Sequence, residues 1–370
     1  MSILRWKRQP EKAQTNGSRN FLNVLVDPSE PTVDIVAVHG LNPLDKQSHA
    51  YATWTVGDKL WLRDFLPKQV PNARILLFGY NSNVAFQTAT AGIREQAENL
   101  LNRLDEARTM DPTRPLIFIC HSLGGIIVKR ALVHSSNDKT YKTIQQSTFG
   151  IAFFGTPHKG GNHAKIGGVV AEIARSVLGN PSNNFMSALI KNSSFLDTNE
   201  DDFRQLLENF QFLSFYETQP LGRFGIVVNK SSAILSLPGS RERQIALDAN
   251  HRNICKFNSD EDPGYQQVAS NIVKIINDAR TSQRRPVRTE SSSGGNESTT
   301  FGDLNQTIQA GCANRSETTG CTNKTQQFGD RNKSSQEGNG NTTLQVVPGS
   351  IVGGSYMEML LLGTKHLVNL

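Results

Sequence analysis

The sequence predicts an α/β fold: a mostly parallel sheet covered by helices on both faces, followed by a polar repeat tail. Three observations predict it. Runs that are apolar at nearly every position, such as TVDIVAVHG (32–40) and PLIFIC (115–120), alternate with longer segments of helical spacing. Strands buried on both faces belong to parallel sheets walled by helices. A serine followed closely by two glycines sits where one such run ends and a helix begins, in CHSLGG (120–125). Branched and aromatic residues become sparse over 281–350, which separates a large domain from its tail.

Taken in order, residues 1–31 read as a polar N-terminal arm. TVDIVAVHG is the first strand and ARILLFGYN (73–81) the second, each rich in β-branched residues and bounded by turn signals. FQTATAGIREQAENLLNRLDEAR (86–108) is a helix with Ile93, Ala97, Leu100, Leu101 and Leu104 on one face. PLIFIC is the third strand, and GGIIVKRALVHS (124–135) the helix after it. TFGIAFFGT (148–156) and FQFLSFYET (210–218) are further strands, and GIVVNKSSA (225–233) is read as a short sixth. YQQVASNIVKIINDAR (265–280) closes the domain as an amphipathic helix. Residues 160–209 break the alternation and read as a lid-like insertion over the sheet's edge. The expected boundaries are a domain over 32–280, a linker over 281–295, a repeat over 296–349 and an apolar segment over 350–370.

Composition excludes several classes. The net charge of +6 in 370 residues has local origins. One cluster is Arg5, Lys7, Arg8, Lys12 and Arg19, and the other is Arg280, Arg284, Arg285 and Arg288. These read as a solvated arm and linker, with peripheral contact to an acidic membrane surface as the functional alternative. No motif for nucleic acid, cofactor or metal is present, so none of these partners is expected. Four cysteines do not make a disulfide framework at this length. The start MSILRWKRQPEKAQ lacks the apolar stretch of a signal peptide. No run of about twenty apolar residues is present, and a cytoplasmic protein is expected.

The turn at CHSLGG carries the chemistry. A nucleophile elbow places a serine on a strained strand-to-helix turn with small neighbours two residues either side, G-x-S-x-G. Here Ser122 is followed by Gly124 and Gly125, and Cys120 stands where the first glycine is usual. The N–H of Leu123, at the helix start, is placed to hold a developing oxyanion. A second donor is expected from VHGLN (38–42), where Gly40 lets the chain turn and presents the N–H of Leu41. A serine nucleophile also needs a histidine base and an acid, in the chain order Ser, acid, His. His251, in LDANHRNICKF, falls after the last expected strand and before the last helix. Glu217, at the end of FLSFYE, is the better-placed acid, and Asp248 is its competitor. His39, His121 and His158 are read as lining the pocket.

Together VAVHGLNP, ICHSLGGIIVKRAL, GIAFFGTPHKGG, SFYET and NHRNICKF resemble the fungal SesB-like group of serine esterases and lipases, within the α/β-hydrolase superfamily. The resemblance covers about residues 32–280. It implies a catalytic set at Ser122, Glu217 and His251, and a lipid or small ester as substrate. It also implies kinship with hydrolase domains that precede nucleotide-binding modules in fungal NLR-type receptors. This chain has no Walker A motif, so a stand-alone effector is expected.

The tail is periodic. Six nonapeptides begin at Asn296, Asn305, Asn314, Asn323, Asn332 and Asn341. Position three is always Ser or Thr, position five Thr or Gln, and position seven is Gly in five units of six. Units of fixed length can stack with equal positions above one another, so that Asn and Gln form ladders along the stack. Position six (Phe301, Ala310, Thr319, Phe328, Glu337, Val346) is then an interrupted apolar stripe, and Cys312 and Cys321 share position eight. This pattern looks like the amyloid-signalling tails of some fungal effectors. It implies self-assembly and a receptor bearing a matching repeat; a disordered linker is the alternative for the tail, and a purely non-catalytic signalling protein is the alternative function.

Overall fold

The computed structural model describes residues 20–42, 48–82, 89–159, 166–178 and 193–284, and six five-residue strands between 297 and 346. The basic arm through Arg19, the linker arginines Arg285 and Arg288, the first-column asparagines, Cys312, Cys321 and residues 350–370 lie outside them. The chain divides into two compact units, Met1–Asn277 and Asp278–Leu370.

The first unit is built on a seven-stranded sheet. Its strands are β1 (Phe21–Val26), β2 (Val33–Val38), β3 (Ala73–Gly79), β4 (Leu116–His121), β5 (Thr148–Phe154), β6 (Gln211–Glu217) and β7 (Glu242–Leu247). Their spatial order is β1-β3-β2-β4-β5-β6-β7. Only β1 runs antiparallel; every other pairing is parallel. The main helices are α1 (Ala89–Ala107), α2 (Gly124–Asn137), α3 (Ile166–Leu178), α4 (Ser193–Arg204) and α5 (Pro263–Arg284).

Alternate residues of the central strands feed two separate cores, as the period of two along a strand requires. Val36, Val38, Phe118, Cys120 and Phe153 face α1–α4. Ile35, Ala37, Ile117, Ile119 and Phe154 face α5 and the segment 48–70, which brings in the buried Trp54 and Trp61. No element is legible in that segment from sequence, because its helices, His49–Ala52 and Trp61–Asp64, are a single turn each. Within β2, buried Asp34 accepts from Nε and Nη2 of Arg74 at 2.8 Å each, with Arg108 and Arg114 also on it. This buried acid is neutralised structurally and is remote in role from the chemistry.

Three expectations are corrected. The N-terminal arm is not wholly loose: Phe21–Val26 forms the edge strand, and Phe21 packs where Gly79 leaves room, since a Cβ there would lie 2.3 Å from its ring. GIVVNKSSA is not a strand. Gly225 takes φ 66°, Asn229 caps the short helix Lys230–Ala233, and the Val228 N–H bonds a side chain instead of a ladder partner. The sixth parallel strand is β7, whose residues ERQIAL carry the polar alternation of an edge position. Of the described helices of the insertion, α4 packs on α2, and α3 packs on α4.

One buried ion pair ties that insertion to α2. Lys129, fully buried on α2, donates to both carboxylate oxygens of Glu200 on α4 at 2.7 and 2.6 Å. It also lies over the rings of Phe153 and Phe203. Burial pushes the ammonium down and the Glu200 carboxyl up, while their mutual attraction opposes both shifts. Lys129→Met strands the carboxylate, and urea unfolding should show a loss of about 3–5 kcal/mol. The stranded carboxyl, with its folded pKa raised, is neutral in both states only in acid. The deficit should therefore grow as pH rises from about 4.3, where the unfolded carboxyl ionises, and be smallest below it.

In the second unit the strands are β8 (Glu297–Phe301), β9 (Gln306–Ala310), β10 (Arg315–Thr319), β11 (Lys324–Phe328), β12 (Lys333–Glu337) and β13 (Thr342–Val346). Each spans positions two to six of one nonapeptide and ends before the glycine column. They form two parallel, in-register sheets, β8-β10-β12 and β9-β11-β13. Equal positions do pair, but two units apart: Glu297 faces Arg315, and Gln309 faces Gln327. The stacking unit is thus a pair of nonapeptides. That places Ala310, Phe328 and Val346 of position six in one sheet and Phe301, Thr319 and Glu337 in the other.

Candidate active site

The β4–α2 turn is a strained elbow. Ser122 has φ 52°, a left-handed conformation that costs a non-glycine residue free energy and persists only where its surroundings enforce it. The enforcement is visible. The Ser122 N–H donates to the Phe154 carbonyl at 2.8 Å, and its carbonyl accepts from Thr156 Oγ1 at 2.9 Å. Both glycines after it are sterically required. A Cβ on Gly124 would lie 2.4 Å from the His39 carbonyl oxygen, and one on Gly125 would lie 2.5 Å from Thr156. Cys120 is fully buried and faces Val38 and Phe153 across the sheet, so the first-glycine departure is accommodated within the core.

Three side chains from three separate segments meet at this turn: the elbow, the end of β6 and the loop after β7. Ser122 Oγ lies 2.9 Å from His251 Nε2, and His251 Nδ1 lies 2.9 Å from Glu217 Oε2. Glu217 Oε1 accepts from the Val228 N–H at 2.6 Å. All three residues are buried. With Glu217 accepting the hydrogen bond of Nδ1–H, Nε2 is the lone-pair nitrogen facing the hydroxyl. Asp248, the competing acid, is exposed and is held by the Gln219 amide. Gly155, at φ 55°, approaches the His251 ring, and a Cβ there would meet it at 3.1 Å.

The loop carrying Leu41 lies against the elbow, since a Cβ on Gly40 would lie 3.0 Å from Ser122 Cβ. His39 braces that loop from beneath. Its Nδ1–H donates to the Gly40 carbonyl at 2.7 Å, and its Nε2 accepts from the Tyr80 N–H at 3.2 Å. Burial, reinforced by His49, lowers its pKa to about 3, so it stays neutral. Leu123 opens α2 with its backbone already helical, at φ −67°.

The other two histidines have distinct settings. His121 Nε2 meets the His251 carbonyl at 3.0 Å. His158 sits beside Lys129, which donates to its Nδ1 at 2.6 Å, and burial with that cation holds the ring neutral. His158 lines a small cleft with Lys159, Glu200 and Phe203. The residues missed from sequence are Lys129, Glu200, Thr156 and Val228. Lys129 alone left a signal, as a single charge spaced three residues from Ile126 and Leu132 on an otherwise apolar face.

Residues 29–189 match the family model described as "Putative serine esterase (DUF676)", a match that includes Ser122 and ends before Glu217 and His251. Protein SERAC1 of Mus musculus is 27% identical over 267 residues, covering 66% of this chain and 39% of that protein. Protein SERAC1 of Bos taurus is 29% identical over 251 residues, covering 60% and 36%. The chain therefore spans less than half the length of the curated relatives it matches. Among solved structures, the mature lipase BlEst2 of Bacillus licheniformis aligns with a TM-score of 0.44 at 18% identity, covering 68% of this chain and 99% of that one. A monoacylglycerol lipase of Paleococcus ferrophilus aligns at 0.39 and 11%, covering 70% and 99%. A hydroxyl, an imidazole and a carboxylate thus lie in line at a strained elbow, within a chain of which residues 29–189 match a serine esterase family model.

Proposed function

We propose that this chain cleaves carboxylic esters of lipids through an acyl-enzyme, with Ser122 as nucleophile, His251 as general base and Glu217 as the orienting acid. The observation that carries the reading is the unbroken hydrogen-bonded line from Ser122 Oγ through His251 to Glu217, 2.9 Å at each step. As Ser122 Oγ attacks the ester carbonyl, His251 Nε2 takes its proton and Glu217 stabilises the imidazolium. The N–H groups of Leu41 and Leu123 receive the charge that develops on the carbonyl oxygen. His251 then protonates the departing alkoxide. Water, deprotonated in turn by His251, releases the acid and restores Ser122. Lipid as the substrate class is supported by Phe224 and Ile226, exposed on the loop that leaves Glu217, beside Arg223 and Lys230. Among the described residues no helix is long and apolar enough to cross a membrane. Hydrolysis of esters of graded acyl length tests the substrate class: kcat/KM should climb with chain length, and cleavage confined to the shortest acyl groups would remove lipids while leaving an esterase.

A second reading concerns the tail, and the two-unit register favours it. We propose that the repeat recruits the hydrolase to a partner with a matching repeat, or to further copies of itself, as the output end of a signalling response. Recruitment by strand stacking requires the partner's units to fall in the same alternation. Deleting one unit (314–322) from the full-length chain moves Phe328 and Val346 into the sheet of Phe301 and Glu337 into that of Ala310, whereas deleting two (314–331) leaves every remaining unit in its own sheet. Assemblies of the full-length protein should seed the two-unit deletion and fail to seed the one-unit deletion, followed by thioflavin fluorescence. Equal seeding of both would remove the paired-unit account.

A further inference from the structure

We propose that His121 is a positioning residue that locks the base loop to the nucleophile elbow, so that Ser122, His251 and the oxyanion loop are held as one body. The inference rests on the catalytic reading above and deepens it. His121 directly precedes the nucleophile, yet its ring turns away from Ser122 and reaches the neighbouring loop. Its Nε2–H donates to the carbonyl of His251 at 3.0 Å, a bond across 130 residues of sequence. The two imidazoles lie 5.3 Å apart, tilted by 39°. On its other side the ring closes on Gly40: a Cβ at Gly40 would sit 3.1 Å from His121 Nδ1 and 3.1 Å from the His121 carbonyl oxygen. One side chain thus touches the three segments that must keep register for catalysis.

The protonation state fits that role. Donation from Nε2 leaves Nδ1 as the lone-pair nitrogen, and Nδ1 is buried without a hydrogen-bond partner. Burial, with the neighbouring His251 ring, holds His121 well below the ordinary imidazole range. A neutral ring keeps its single donor on the His251 carbonyl and adds no second cation next to the imidazolium that forms during turnover. A phenyl ring would fill the same space with no donor. A glutamine carries an N–H at the reach of Nε2, without the ring.

A hydrogen bond that orients the base acts on the chemical step, so its loss should appear in kcat. The test compares wild type, His121→Phe, His121→Gln and Ser122→Ala on one soluble ester, with thermal unfolding of each. His121→Phe should lose tenfold or more in kcat with KM within about threefold and an unfolding midpoint near that of wild type. His121→Gln should recover most of the lost kcat. Wild-type kcat in His121→Phe overturns the proposal, as does an equal loss in both variants or a loss confined to KM. Should His121→Phe fail to fold, the Gln variant decides alone, and a tenfold loss of kcat in it counts against the proposal. Hydrolysis persisting in Ser122→Ala would instead overturn the underlying catalytic assignment, so the two failures are separable.

Discussion

Ser122→Ala should abolish ester hydrolysis, lowering kcat/KM by roughly 10⁴-fold or more. The expectation follows from position as much as chemistry. Oγ is the atom that the His251 imidazole faces at 2.9 Å, and the backbone beneath it is held in a left-handed turn by Phe154 and Thr156. That scaffold does not depend on the hydroxyl, so the variant should fold with an unfolding midpoint near that of wild type. Steady-state hydrolysis of a soluble ester, alongside circular dichroism, reads both quantities. Activity within tenfold of wild type would show that the reaction runs through another group.

Glu217→Gln should cost nearly as much, roughly 10⁴-fold in kcat. The carboxylate accepts two N–H groups at once, His251 Nδ1–H on Oε2 and Val228 on Oε1. An amide offers one oxygen and one NH₂, so it cannot accept both. If the oxygen stays with Val228, the NH₂ faces Nδ1 and forces the proton to Nε2, the wrong tautomer for accepting a proton from Ser122. If the amide turns, the buried Val228 N–H is left facing a donor, and the loop 218–237 loses its anchor. Asp248→Asn, by contrast, should leave kcat unchanged, because that exposed carboxylate bonds only Gln219 among the described contacts. Measuring the pair of variants side by side separates the two candidate acids.

Most of this candidate site was legible because a strained strand-to-helix turn constrains sequence locally. Ser122 announced itself through the two glycines after it, and the structure gives each a separate reason: Gly124 against the His39 carbonyl, Gly125 against Thr156. Glu217 was legible from its place at the end of a buried strand, and His251 from chain order. The loop between β6 and β7 was not. GIVV has the composition of a strand, but Val228 is buried by docking its N–H on Glu217, a contact no periodicity records. The true edge strand ERQIAL was hidden by its polarity, and Phe21–Val26 by the polar arm before it. Lys129 and Glu200 were invisible as a pair because 71 residues separate them. In the repeat, the ninefold period was plain, while the interruptions of position six by Thr319 and Glu337 already marked a longer period. Those two fall two units apart, and the structure pairs units two apart in one sheet while consecutive units fall in separate sheets.

The central claim is that one serine, at one strained turn, forms the covalent intermediate. A fluorophosphonate reacts with an activated serine and leaves a stable adduct at the position of the acyl group. Digestion of the labelled wild-type protein and mass spectrometry of its peptides locate that adduct. The account predicts a single phosphonylated peptide, the one carrying Ser122, with labelling and loss of esterase activity advancing at the same rate. An adduct on any other residue that tracks the loss of activity, or full inactivation with Ser122 unmodified, would contradict it.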